Sequence, residues 1–177
     1  MYWITGVFPY FYHYFKNQLI SMENRELIVK DAYSKMAQLC SRSEQCSADI
    51  RKKMVTWEIM EELVDEIISK LKEEKFLDDE RYVKAYVSDK FRLNKWGKVK
   101  MRYYLKAKGL NDELIEIGLN EIKEEQYKKV LISTLKEKAK KIKSDNKFEK
   151  MGQIIRFAQS RGFEPEVIHR YLAEVVK

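Results

Sequence analysis

The feature that most constrains this chain is one apolar pattern written three times. Internal repeats of this length signal stacked helical or strand units, so they govern every later reading. Shifting residues 47–71 by 51 positions places Ile50 on Met101, Met54 on Leu105, Ile59 on Leu110, Val64 on Ile115, Ile68 on Leu119 and Leu71 on Ile122. A further shift of 53 carries the set to Ile154, Ala158, Phe163, Ile168, Leu172 and Val175. Apart from the steps of five on either side of the third position, where the turn falls, the spacings are three and four, the period of a helix that buries one face.

The punctuation between the halves points the same way. Gly109 and Gly162 coincide, each followed by an apolar residue, Leu110 or Phe163. Glycine past a helix end takes the left-handed conformation and lets the next apolar residue fold back on the last turn. Asn111 then suits an N-cap, and Pro165 suits a first helical position. The first copy has Glu58 where glycine is expected. Its turn should close differently, or its two helices should run closer to continuous. A further helix precedes each pair, at roughly 26–41, 79–92 and 124–142. Asp78 is placed to cap the second, with Asp79 and Glu80 in its first turn, where the helix dipole favours negative charge.

The expected fold is therefore all-α, three tandem three-helix repeats forming an elongated, curved molecule. The repeats span 25–75, 76–122 and 123–177. With only six Gly and two Pro in 177 residues, few turn formers remain for a sheet. Units of about fifty residues bury little surface alone and should lean on their neighbours. Residues 1–24 differ in composition, eight of the first fifteen being Trp, Tyr or Phe. They read as an aromatic N-terminal extension outside the fold whose removal should leave folding intact.

The net charge of +7 favours nucleic acid, an acidic protein groove or anionic lipid as partner. The charge is banded. Trp57 to Glu80 holds ten acids and three Lys, whereas Arg81 to Lys108 holds ten Lys or Arg and one acid, Asp89. Arg92, Lys95, Lys98, Lys100, Arg102, Lys106 and Lys108 crowd one loop and helix. Lys98, Arg102 and Lys106, spaced by four, form a row beside the apolar side set by Met101 and Leu105. A second cluster, Lys136, Lys138, Lys140, Lys141 and Lys143, ends a later helix, where cations complement the dipole. The bland alternative is that Lys-rich helices only keep the chain soluble, which suits the second cluster better than the first. Tyr82 and Tyr86 read as core. Trp96 reads as a plug between helices, and Tyr103 faces outward, where it can stack on an unpaired base.

The stretch "FLDDERYVKAYVSDKFRLNKWGKVKMRYYLKAKGL", Phe76 to Leu110, resembles the RecX family, regulators of the bacterial recombinase RecA. The resemblance rests on the "LDDERY" start, the basic helix after it, "WG" opening the next helix and "L-x-x-KG" closing it. It extends more weakly over 26–177. It implies tandem three-helix modules in the groove of a RecA–DNA filament, with restraint of RecA's ATP turnover, strand exchange and coprotease activity. A role in homologous recombination, DNA repair and the SOS response follows. Family members also contact DNA, so the partners implied are the RecA filament and single- or double-stranded DNA. Lys98 departs from the family pattern, in which Pro often follows "WG".

The residues expected to meet partner or DNA are Arg92, Lys95, Lys98, Lys100, Arg102, Tyr103, Lys106, Lys136, Lys138, Lys140, Lys141 and Lys143. The competing reading is a transcription regulator whose three-helix units act as helix-turn-helix modules. Nothing asks for an enzyme. The two histidines, His13 and His169, are isolated, and neither a phosphate loop nor a nucleophile elbow occurs. No cofactor and no metal site are called for. Cys40 and Cys46 lack metal-site spacing and suit a reduced, cytoplasmic monomer, with Cys40 as a small core residue. No apolar run is long enough to span a bilayer.

Overall fold

The computed structural model describes the backbone of residues 8–176 and the side chains of residues 24–176. Among the described residues the chain is all-α, with nine helices and no strand. These are α1 (Phe8–Arg42), α2 (Ser47–Val55), α3 (Glu61–Glu73), α4 (Asp79–Arg92), α5 (Lys98–Ala107), α6 (Asp112–Asn120), α7 (Glu124–Lys141), α8 (Lys147–Ser160) and α9 (Pro165–Leu172). They divide into two compact units, Met1–Leu77 and Asp78–Lys177. Of the eighteen apolar positions that match across the three copies, all are buried except Ile59 and Val175, which are half-buried.

In the first unit, α1 and α2 each pack on α3. Ala32 and Met36 of α1 meet Ile50 and Met54 of α2 and Val64, Ile67, Ile68 and Leu71 of α3 in one apolar cluster. Arg51 ties α2 to α3 by pairing with both Glu61 and Asp65. Helix α1 begins well before the expected start near residue 26. The reason is local: between Tyr10 and Arg42 there is neither Gly nor Pro to stop it. Whether the first residues stand outside the fold turns on side chains up to residue 23, which lie outside the described residues. The core cysteine is Cys46, at the N-cap of α2, and not Cys40, which is half-buried on α1. The α1–α2 turn tucks its last residue inward.

The turn at Glu58 corrects the sequence reading. Glu58 adopts φ 58°, as Gly109 and Gly162 adopt φ 81° and 85°. Its N–H donates to the Val55 carbonyl and that of Ile59 to the Met54 carbonyl. Gly109 and Leu110 make the same two bonds to Lys106 and Leu105, and Gly162 and Phe163 to Gln159 and Ala158. All three helices therefore end in one Schellman motif. A β-carbon raises the energy of the left-handed conformation without forbidding it, so Glu58 closes the turn as glycine does, under strain.

In the second unit the caps fall where the sequence placed them. The Asp78 carboxylate accepts from the Arg81 N–H at 3.0 Å, and the Asn111 side chain accepts from the Leu114 N–H at 2.9 Å. Pro165 stands at the start of α9. Helix α6 presses on α4 so closely that a β-carbon on Gly118 would lie 2.5 Å from a Val83 methyl. Tyr127 of α7 stacks on Phe91 of α4, ring centroids 5.9 Å apart, and leans on Phe163, 5.4 Å away. These three rings join the α4–α6 group to the α7–α9 group.

The same junction is closed by main chain. The Gly97 N–H donates to the Arg161 carbonyl at 2.8 Å, and the Val99 N–H to the Gly162 carbonyl at 3.1 Å. A β-carbon at Gly97 would lie 2.1 Å from the Gly162 oxygen, and one at Gly162 would lie 2.2 Å from Cβ of Lys100. Both positions must be glycine because two backbones touch there. The Lys98 N–H donates to the Tyr127 hydroxyl at 3.0 Å, and that hydroxyl donates to the Glu164 carboxylate. Burial, reinforced by the Glu164 bond, pushes the Tyr127 hydroxyl pKa far above its ordinary value. A proline after Gly97 would lack the N–H that this chain uses, which is a physical reason for Lys98 at that position.

Candidate partner interface

The expected cations fall into two sets once their neighbours are seen. The first set is spent largely inside the fold. Lys95, in the turn between α4 and α5, reaches Glu137 of α7 with N–O 2.6 Å. That ammonium holds the Glu137 carboxyl below the usual range, with help from the Ser133 hydroxyl and the charge of Lys141. Arg102 of α5 grips Glu116 of α6 through Nε and an Nη, at 2.9 and 2.6 Å. Lys106 meets Asp112 at 2.8 Å. Lys98 lies over the Tyr127 ring, 5.5 Å from its centroid. The row Lys98, Arg102, Lys106 is thus real as a line on α5, but neighbouring carboxylates neutralise two of its three charges.

Lys100 differs. Its ammonium donates to the Ser160 carbonyl at 3.1 Å and sits 4.8 Å over the Trp96 ring. A carbonyl and a ring leave its charge uncompensated. Arg92 is exposed at the end of α4.

The second set faces solvent. Lys136 and Lys140 line an open groove of about 500 Å³ on α7, together with Lys129, Ile132, Ser133 and Glu137. Lys141 and Lys143 are exposed, the latter in the segment leading to α8, while Lys138 turns inward over Phe157, 5.3 Å from the ring. Lys129 was missed by the sequence reading. Its signal is its register: Lys129, Ser133, Lys136 and Lys140 follow the helical steps of four, three and four that put residues on one face.

The aromatic residues also sort. Tyr82 is buried, Tyr86 half-buried, and Tyr103 is 68% exposed, as an outward direction requires. Trp96 is half-buried. It stacks on Tyr104 with centroids 5.1 Å apart and rings inclined by 24°, and Lys90 stands 5.4 Å from it. The turn leaves Trp96 at the surface because Gly97 must follow the backbone of Gly162, so the indole lies along α5. Lys90 and Tyr104 were not singled out from the sequence; Tyr104 lies just past Met101 and Tyr103, in a helix too short for its outer face to be obvious.

No group of three or more His, Cys, Asp or Glu among the described residues is arranged to hold a metal ion. Among the same residues no helix is long and apolar enough to cross a membrane.

Residues 78–119, which form α4, α5 and α6, match the model of the RecX second three-helix domain. The chain is 32% identical over 100 residues to the regulatory protein RecX of Clostridium acetobutylicum, covering 54% of this chain and 46% of that protein. It is 24% identical over 160 residues to the regulatory protein RecX of Leuconostoc mesenteroides, covering 90% of this chain and 60% of that one. The chain thus spans about half to three-fifths of the length of these two relatives. Among solved structures, a regulatory protein RecX superposes with TM-score 0.81 at 20% identity, over 89% of this chain and 77% of that one. RecX from Lactobacillus salivarius superposes with TM-score 0.77 at 20% identity, over 83% and 96%. Those two likenesses concern the fold alone. Residues 78–119 match the RecX second three-helix domain, and the chain is similar in sequence to regulatory proteins named RecX.

Proposed function

We propose that this protein is a non-enzymatic regulator of RecA that docks on the RecA–DNA filament and lowers its ATPase, strand-exchange and coprotease activities. The observation that carries the reading is the solvent-facing cationic groove of α7, in the same compact unit as the domain that matches RecX. Lys129, Lys136 and Lys140 are not paired to carboxylates among the described residues. They present charge to a polyanion without first breaking an internal bond. A nucleoprotein filament offers both acidic protein surface, where charge sets orientation and encounter rate, and phosphates, whose neutralisation makes affinity fall steeply with salt. The α5 row is a poorer interface, since Arg102 and Lys106 already have partners.

The test is RecA's DNA-dependent ATP turnover with this protein added. Turnover should fall, and the triple substitution of Lys129, Lys136 and Lys140 to Glu should restore it while the helical circular dichroism and melting temperature hold. Unchanged turnover at equimolar protein would defeat the reading. Tight retention on a palindromic duplex at high salt, without RecA, would favour a transcription regulator instead.

A further inference from the structure

We infer that the cavity at which α5, α7 and α9 all begin is a binding site for a small phosphate monoester. Its volume is about 270 Å³. Lys98 lines it from the first residue of α5, Glu124 from the first residue of α7 and Glu164 from the N-cap of α9. Each helix start carries about half a positive charge, and three of them meet here. A helix start alone is no site, because an acid in or beside the first turn ordinarily answers it, as Glu124 and Glu164 do.

The cationic side chains decide the matter. Lys98, Lys128 and Arg170 line the same cavity, one from each helix. None of the three pairs with a carboxylate among the described residues. The Lys98 ammonium rests over the Tyr127 ring and that of Lys128 over the Tyr171 ring, 5.5 and 4.9 Å from the centroids. Glu164 is engaged by the Tyr127 hydroxyl. Three cations and three helix starts against two carboxylates leave a surplus of about two positive charges. Lysines that only keep a chain soluble need no common focus. These cations surround one depression whose remaining wall, Ile122 and Val167, is apolar.

The occupant follows from charge and shape. A phosphate monoester carries about −1.5 to −2 at neutral pH, which matches the surplus. Its oxygens point in several directions and so meet donors that arrive from three helices, whereas a planar carboxylate suits a single fork. A phosphodiester, as in a nucleic-acid backbone, carries one charge and leaves the surplus half answered. The organic part of the ester lies against Ile122 and Val167. Bound there, the ligand ties α5 to α7 and α9 beside the Tyr127 junction and stabilises the second unit by binding only its folded form. The site goes beyond the proposed regulator reading and is tested without RecA, so that either can fail alone.

The experiment is isothermal titration of the full chain with phenyl phosphate, paired with thermal melts. Dimethyl phosphate and benzoate serve as the diester and carboxylate controls. Phenyl phosphate should bind saturably at one site and raise the melting temperature. Arg170→Ala and Lys128→Gln should each weaken it roughly tenfold, while Lys147→Ala, at the start of α8 and outside the cavity, should bind like the parent. Arg170 is exposed, so its variant should melt like the parent when no ligand is present. No saturable binding at about 10 mM phenyl phosphate would overturn the inference. So would equal affinity of parent and Arg170→Ala, or equal affinity for phenyl phosphate and either control.

Discussion

Gly97→Ala should be far more damaging than an alanine at a surface turn ordinarily is. The new methyl would lie 2.1 Å from the Gly162 oxygen, 2.3 Å from its carbonyl carbon and 2.4 Å from the Phe163 nitrogen. Real β-carbons essentially never approach closer than 3.0 Å, so the two backbones must part by about 1 Å. These are main-chain atoms and cannot rotate away. Parting them weakens the bonds from Gly97 to Arg161 and from Val99 to Gly162. Each such bond contributes on the order of 1 kcal/mol net. Overpacking adds about 1–3 kcal/mol, so the total loss is about 3–5 kcal/mol, a large share of the roughly 5–15 kcal/mol that holds a domain folded.

Gly109→Ala is the control. Gly109 has φ 81° but nothing within 4 Å of a built β-carbon, so only the left-handed strain of about 1–2 kcal/mol applies. Urea unfolding followed by Trp96 emission, with Trp3 and Trp57 replaced by Phe, reads the second unit alone. If Gly97→Ala and Gly109→Ala shift the midpoint equally, the argument from backbone contact is wrong.

Glu58→Gly should stabilise the first unit by about 0.5–1 kcal/mol, the relief of left-handed strain less the greater freedom that glycine gives the unfolded chain; urea unfolding followed by Trp57 emission checks it. Tyr127→Phe should cost about 1–3 kcal/mol, because the Lys98 N–H and the Glu164 carboxylate both lose their partner. The folded-state pKa of Tyr127 is raised, so its contribution is complete below the unfolded value near 10 and is lost as pH climbs above it. Thermal melts between about pH 9 and 11 should therefore show a steeper alkaline decline for the parent than for Tyr127→Phe. Reversal of Lys98, Arg102 and Lys106 to Glu should lower the melting temperature, since new carboxylates would face Glu116 and Asp112. An unchanged melting temperature would mean that these pairs do not hold in solution.

Much of the fold could be read from spacing alone, because helix burial repeats at a period that a sequence displays directly. Met101, Leu105, Ile115 and Leu119 are buried for the reason their register implied, and Asp78 and Asn111 cap because short polar side chains next to an apolar run have few better uses. What stayed hidden depends on partners distant in sequence. Glu58 offers no local sign that it will accept a left-handed turn; the geometry is imposed by Met54 and Ile59 packing on either side. Gly97 looks like an ordinary helix-opening glycine until Gly162 is found against it. The cations show the same divide. Arg102 and Lys106 were visible as a basic row, but Glu116 and Asp112, which offset them, lie on the next helix and cannot be aligned by eye.

The seam at Gly97 and Gly162 bears on how this protein can be cut and transplanted. The stretch matched as a family domain, 78–119, looks like a cassette that ends where α6 ends. Yet the opening of its middle helix is finished by atoms well downstream of it: the Arg161 and Gly162 carbonyls, and a Tyr127 hydroxyl held by Glu164. An excised cassette would bare three amide donors and one face of Phe91 to water. Grafting experiments that treat those residues as self-sufficient should carry the chain through α9.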